Sequence, residues 1–401
     1  MKNIQLFSKT IVLTAIAIIL VTSCEEENNG ENKSVDYGIL IENNITANTT
    51  WKSGEVYILG GRITVVGGVT LTIEPGVIIK GQAGTGASAT ALLIARGATL
   101  IAEGTEADPI IFTSVADEIQ PGDVASPNLI PELNGLWGGL LILGKAPISA
   151  DAESVQIEGI PPTDPNGLYG GNIPNDNSGI IKYVSIRHGG ANIGEGNEIN
   201  GLTLGGVGSG TVIENIEVVA NQDDGIEWFG GTVNVKNVVV WNTGDDAIDT
   251  DQGWAGTLDN FVVISPGDEC FELDGGEGIW NATYTIRNGS VQASAGEIVS
   301  EGLADLDNKG AGDPGNSSVN MSNVYFFGLT PGQYFDDNPE ELTLSAQAAL
   351  PADSLALSDF FLKGSDAFVT EVEQGANTVG ANLSKFQNWS WASLSGALNE
   401  F

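Results

Sequence analysis

The sequence predicts an all-β fold: a right-handed parallel β-helix, a solenoid of short strands, closed by a small, partly helical C-terminal cap. Three observations carry this. The first is an internal repeat. Thr211–Asn221 followed by Asp223–Gly231 aligns with Thr232–Asn242 followed by Asp245–Asp251, and with Thr257–Ser265 followed by Asp268–Asp274. Ile226, Ile248 and Phe271 correspond, at spacings of 22 and 23 residues. A period of this length signals a solenoid. The second is the content of each unit: β-branched runs with period-two alternation, and no 12-residue amphipathic helix. The Leu-x-x-Leu-x-Leu framework of a leucine-rich repeat is absent. The third is glycine, 54 of 401 residues, about twice the usual frequency and suited to many turns.

In chain order, Met1–Lys9 carries Lys2 and Lys9, and an apolar run Ile11–Leu20 follows. That run is too short for a permanent span, which needs about 20 apolar residues. A basic start, a short apolar core and a small-residue end make a secretory signal over 1–23. The end, Leu20-Val-Thr-Ser-Cys24, resembles a bacterial lipobox, so Cys24 is the expected lipidation site and the chain's anchor to a membrane. Residues 24–37 read as a flexible tether whose Glu25-Glu26-Glu27 resembles the surface-export signal of Bacteroidota lipoproteins. This places the protein on the outer membrane, facing outward.

The coil is expected over 38–330. Val56–Leu59, Arg62–Val66, Val69–Ile73, Val77–Lys80, Leu92–Ala95 and Ile110–Thr113 are short apolar runs separated by Gly and Pro turns. Gly179–Ile186 continues the alternation, and Asn200–Leu204 aligns 24 residues before Asp224–Trp228. Asn221 and Asn242 follow the valine strands, where asparagine tolerates a left-handed turn. Residues 116–135 and 151–178 are polar, Pro/Gly-containing excursions, which in a solenoid map to loops on one face. Residues 331–401 form the cap, covering the open end and its strand edges.

Charge narrows the function. The formal net charge is −37, and loss of Lys2 and Lys9 on cleavage takes it to −39. Such a field repels nucleic acid and anionic lipid. With Cys24 lipidated, Cys270 is left without a disulfide partner and reads as a packed residue. A single histidine, His188, argues against a His-rich zinc site or a serine–histidine triad.

Several motifs carry a family resemblance: Trp51-Lys-Ser-Gly, Leu71–Lys80, Gly104–Ser114, Leu136–Lys145, Asn197–Val207 and Asp223–Thr232. In that order they resemble a family of β-helical surface lipoproteins common in Bacteroidota, over roughly residues 38–401. The resemblance implies a pectin-lyase-like right-handed β-helix and little chemistry. It also implies association with TonB-dependent uptake transporters, which no residue of this chain shows.

With the turns in register, Glu227, Asp249 and Glu272 form one outward column, each preceding an inward residue (Trp228, Thr250, Leu273). Adjacent strands lie about 4.8 Å apart, where two carboxylates repel by roughly 0.9 kcal/mol in water. Asp223/Asp224, Asp245/Asp246 and Asp268/Glu269 sit at the preceding turn. Three readings stay open. One is a solvated acidic face. Another is a calcium site formed by Asp224, Glu227, Asp246, Asp249, Glu269 and Glu272, since calcium takes six to eight oxygens. The third is a glycosidase or lyase using Glu227, Asp249 and Glu272, because retaining glycosidases place two carboxyls about 5–5.5 Å apart. Asp245-Asp246-Ala-Ile faintly resembles the paired aspartates of β-helical polygalacturonases, but their downstream Gly-His-Gly and Arg-Ile-Lys are missing.

Phe229, Trp254 and Trp280 lie near the column and are candidates for stacking on a glycan. Asp353-Ser354-Leu355 resembles a short O-glycosylation motif of Bacteroidota exported proteins. The reading that leads is a non-catalytic binding or accessory lipoprotein for a glycan, a metal-containing ligand or an uptake transporter. A polysaccharide-degrading enzyme and a structural or adhesive surface protein are the alternatives.

Overall fold

The computed structural model describes residues 38–193, 198–276, 278, 280, 282–306, 318–335, 342–351, 356–361 and 365–401. Cys24 with its acidic tether, and Asp353-Ser354-Leu355, lie outside the described residues.

The alternating runs fold as a right-handed parallel β-helix with two parallel sheets of fifteen and eight strands. Each turn of the coil adds a strand to each sheet, and parallel neighbours joined this way take right-handed crossovers. The smaller sheet stacks Arg62–Val65, Ala91–Ile94, Leu140–Leu143, Leu202–Gly205, Ile226–Phe229, Ile248–Gln252, Phe271–Leu273 and Asp305–Leu306. The repeat register is the one the sequence predicts: Leu202 pairs with Ile226, Ile226 with Ile248, and Ile248 with Phe271. Period-two alternation sends Leu202, Leu204, Ile226, Trp228, Ile248 and Phe271 inward to one continuous core. There Trp228 stacks on Trp254 at 4.8 Å, and Trp254 on Tyr284 at 5.4 Å. Cys270 is fully buried in this core, and burial pushes its thiol up to about 12.

In the larger sheet, long strands such as Val212–Val219, Val235–Trp241 and Thr257–Ile264 bend once in the middle. Asn215, Asn237 and Asn260 sit at the bend with φ of 60°, 55° and 65°. Asparagine tolerates this left-handed conformation better than other non-glycine residues. Their side chains form a ladder: Asn237 donates to Asn215 at 2.8 Å, and Asn260 to Asn237 at 2.8 Å. This corrects the asparagine column expected at Asn221 and Asn242. Asn242 does adopt a left-handed conformation, φ 54°, but its neighbour in register is Ala220, φ 56°. Asn221 instead donates to the carbonyls of Ile199 and Asp224 at 3.1 and 2.8 Å.

The excursions cover two faces, where the sequence suggested one. Residues 116–135 leave the larger sheet and fold back on it, with Ile119 against Ile78 and Ile111. His188 Nδ1 bonds the Leu133 carbonyl, and burial lowers its pKa, so it is a structural histidine. Residues 147–170 leave the smaller sheet and cover that one. Ile148, Ile157, Ile160 and Tyr169 pack on the outward side chains Leu93, Leu141, Leu143 and Phe229. Each excursion buries its apolar residues on the sheet it departs from.

The C-terminal part is partly helical, with one α-helix at Trp391–Ser395, but its place differs from the expected cap. Leu342–Ala348 and Val369–Glu371 extend the larger sheet beyond residue 330. Phe386, Trp389, Trp391 and Leu398 lie along the side of the coil, on the outward face of Val219, Val239, Trp241, Val262 and Ile264. An outward face this apolar needs a cover, and the C-terminal segment supplies it. Ala392 N–H donates to buried Glu217 at 2.8 Å, and Trp391 lies 5.0 Å from the Arg187 guanidinium that pairs with Glu217. Among the described residues no helix is long and apolar enough to cross a membrane.

Candidate functional site

The outward positions of the smaller sheet change character along the coil. Thr64, Leu93, Leu141, Thr203, Glu227, Asp249, Glu272 and Asp305 occupy one column, residue paired with residue. Its first half is apolar and roofed by the 147–170 excursion, and its second half is acidic. Glu227 and Asp249 remain only 5% and 7% exposed, Glu272 is half-buried and Asp305 is exposed. An expected outward column is therefore confirmed in direction and corrected in environment: its first two carboxylates are buried.

One turn earlier, Asn200, Asp224, Asp246 and Glu269 stack in a second column set by the same register. Asp224 Oδ1 accepts the Asp246 N–H at 3.1 Å, and Asp246 Oδ1 accepts the Glu269 N–H at 2.6 Å. These bonds hold each carboxylate to the next turn of the coil. Asp224, Glu227 and Asp249 converge, with a carboxylate oxygen of each within 4.8 Å of the others. Asp223–Asp224–Asp245 and Asp245–Asp246–Asp268 make two further groups of the same kind, nearer the surface. Glu272 hydrogen-bonds Asp246, whereas the Glu269 carboxyl turns toward Asp268 and stands apart from the buried trio.

No lysine or arginine compensates this charge: the ion pairs among the described residues all lie elsewhere. Burial pushes Asp224, Glu227 and Asp249 well above the usual carboxylate range, and neighbouring carboxylates push the same way. Burial first, then Glu158 and Asp245, raise Asp223 to about 7. Asp245 rises to about 6, through burial and then Asp268. Asp249 Oδ1 is buried without a hydrogen-bond partner, and so is Asn200 Oδ1. Hard oxygen donors, some already orphaned, fit a calcium-like cation, which takes oxygens at 2.3–2.6 Å. The acids present fit such an ion at Asp224, Glu227 and Asp249, with Asp246 and Glu272 beside them.

Two site residues escape a sequence reading. Asn200 is 1% exposed, and its Nδ2 donates to Glu227 Oε2 and, at 3.4 Å, to Glu158 Oε1. The alignment of Asn200–Leu204 with Asp224–Trp228 already put it in the column of Asp224; that was the available signal. Glu158 has none, because it comes from a non-repeating excursion. It sits at the rim, exposed as a residue while its carboxyl end is desolvated, and it is pushed up to about 7.

The glycan-stacking candidates separate. Trp254 is fully buried inside the coil, its Nε1 donating to Val233 O at 2.9 Å. Phe229 points outward but lies under Tyr169, ring centroids 5.8 Å apart. Neither offers a face to a sugar: Trp254 follows the inward stack, and the excursion covers Phe229. Trp280 is half-buried. An extra residue opposite Trp228 breaks the pairing between Glu227 and Phe229 and their neighbours in Ile248–Gln252. Such a bulge re-aims the side chains beside it; Thr250 turns inward to the Tyr284 hydroxyl at 2.8 Å.

Away from the carboxylates, a cavity of about 590 Å³ opens beside the C-terminal segment, lined by Glu132, Trp241, Asn242, Gln292, Ile298 and Glu400 among others.

No curated protein and no solved structure matches the chain. The model of the pectate-lyase like beta helix domain matches residues 43–288, more than half of the chain. Together with the parallel coil and its ladders, that match makes this protein a member of the pectate-lyase-like β-helix domain family.

Proposed function

We propose that this protein is a surface lipoprotein anchored through Cys24, acting as a non-catalytic binding or accessory module whose carboxylate cluster holds a calcium-like cation. The observation that carries the cation is the buried convergence of Asp224, Glu227 and Asp249, with Asp249 Oδ1 unpartnered and no basic residue at hand. The burial of Glu227 and Asp249 supports binding over turnover, since a polymer has no open cleft to reach them. The bound ion would rigidify the coil's outward face, which then meets a glycan or a transporter. Cell-surface placement rests on the lipobox and the acidic tether; protease shaving of whole cells tests it, and full protection overturns it.

Calorimetric titration with calcium chloride tests the site. Saturable binding by the full chain is expected, and no heat or competition by EDTA would remove the reading. One observation favours the enzyme alternative: Glu227 and Asp249 pair across adjacent strands, at a spacing compatible with a retaining carboxyl pair. A polysaccharide panel decides between them. New reducing ends or unsaturated uronates that vanish in Glu227→Gln would establish catalysis; binding without products supports the module.

A further inference from the structure

Glu158 enters the acidic cluster from outside the repeat. It is carried by the 147–170 excursion, which the coil holds by other contacts: Arg96 donates to Gly170 O at 2.9 Å, Ser149 Oγ accepts the Gly253 N–H at 2.7 Å, and Gln252 donates to Tyr169 at 3.0 Å. These contacts fix the two ends of the excursion. Between them, Glu158 reaches Asn200, and Asn200 reaches Glu227. The Asn200 side chain is thus aimed into the cluster while its Oδ1, nine-tenths buried or more, has no partner. An amide rotated by half a turn exchanges its N and O positions. That rotation would set an oxygen, rather than an N–H donor, between the Glu158 and Glu227 carboxylates.

We propose that Glu158 and Asn200 Oδ1 complete the cation's oxygen shell, so that the ion fastens the middle of the excursion to the coil. The proposal rests on the cation reading of the cluster. It makes the excursion a roof that calcium locks and chelation loosens. Calcium's need for six to eight oxygens is met better by the coil carboxylates with these two groups than by three carboxylates alone. The ion would bridge a repeating and a non-repeating part of the chain, which hydrogen bonds through Asn200 do only weakly.

Hydrogen exchange read by mass spectrometry, on the full chain with calcium chloride or EDTA, tests this beside calorimetry on the same samples. In the unsubstituted protein, calcium should slow exchange of residues 151–164 by about tenfold, as local opening is suppressed. Glu158→Gln should still bind calcium, about tenfold more weakly, without slowing that segment. Glu158→Asp, which keeps the charge, should restore part of the protection and guards against a folding defect in the glutamine variant. Calcium bound with exchange of 151–164 unchanged, or slowed equally in Glu158→Gln, overturns the proposal and leaves the coil site standing. No calcium bound by the unsubstituted protein overturns the coil site, and this inference with it.

Discussion

Two columns of charge run along this coil under the same rule of register and come out opposite. On the larger sheet, Glu103, Lys182, Glu214, Lys236, Asp259 and Arg287 stack strand over strand with alternating sign. Lys182 lies 4.0 and 3.9 Å from Glu103 and Glu214, and Arg287 lies 3.0 Å from Asp259. On the smaller sheet, Glu227, Asp249, Glu272 and Asp305 stack with one sign. The alternating column is open to solvent and neutralises itself. The acidic column starts under a roof, where neither solvent nor a basic side chain relieves it. A solenoid repeats positions, so each outward position becomes a ladder; whether that ladder stabilises or demands a counter-ion depends on the sign sequence and on what covers it.

The largest test of this contrast is Asp249→Asn. With free calcium about a thousandfold above Kd, bound ion stabilises the native state by about 4 kcal/mol. The variant should lose most of that calcium-dependent gain in denaturant unfolding. In EDTA the same substitution should act in the other direction, stabilising by about 1 kcal/mol, the scale of one like-charge contact. Destabilisation in both media would mean the carboxylate is structural and holds no ion.

A pH series in EDTA sharpens the contrast next. Asp223 and Asp245 titrate near 7 and 6 in the folded state, against about 3.9 for an unfolded aspartate. Between those values the native state keeps protons that the unfolded chain has released. Stability should therefore be greatest below pH 4 as far as these groups are concerned, and decline as pH rises through 6 and 7. Calcium should flatten the decline. A melting temperature in EDTA that climbs over this interval would contradict the buried like-charge description.

The smallest effect belongs to the alternating column. Lys236→Glu puts three acids in sequence, Glu214, residue 236 and Asp259, but on an exposed face. A loss of about 0.5 kcal/mol is expected in low salt, and 1 M sodium chloride should erase it, because the Debye length falls to about 3 Å. A loss that survives high salt would show that this face is shielded too.

The contrast also marks how far the sequence could be read. The coil was legible because its cause is local and repeated: period-two alternation at a spacing of 22 to 24 residues fixes both the inward side and the strand register, so Ile226, Ile248 and Phe271 meet as aligned. The asparagine ladder was legible in principle. Asn215, Asn237 and Asn260 sit at equal places in the aligned units, yet Asn221 and Asn242 drew attention because turns were expected only at strand ends. The acidic column was found, but its burial was not, since nothing in Glu227 or Asp249 announces a roof.

By itself the sequence determined the strand periodicity, the register of the repeats, the identity of the outward carboxylates and the charge of the chain. These follow from neighbours along the chain and from a spacing that recurs. The tertiary structure alone decided where the non-repeating segments go: the excursion that buries Glu227 and brings Glu158 to Asn200, the inward turn of Trp254, and the C-terminal segment laid on the valine face. Those placements depend on contacts between residues with no common period, such as Tyr169 on Phe229 or Trp391 on Arg187. Burying apolar surface selects them only after the coil has formed and offered the faces to cover.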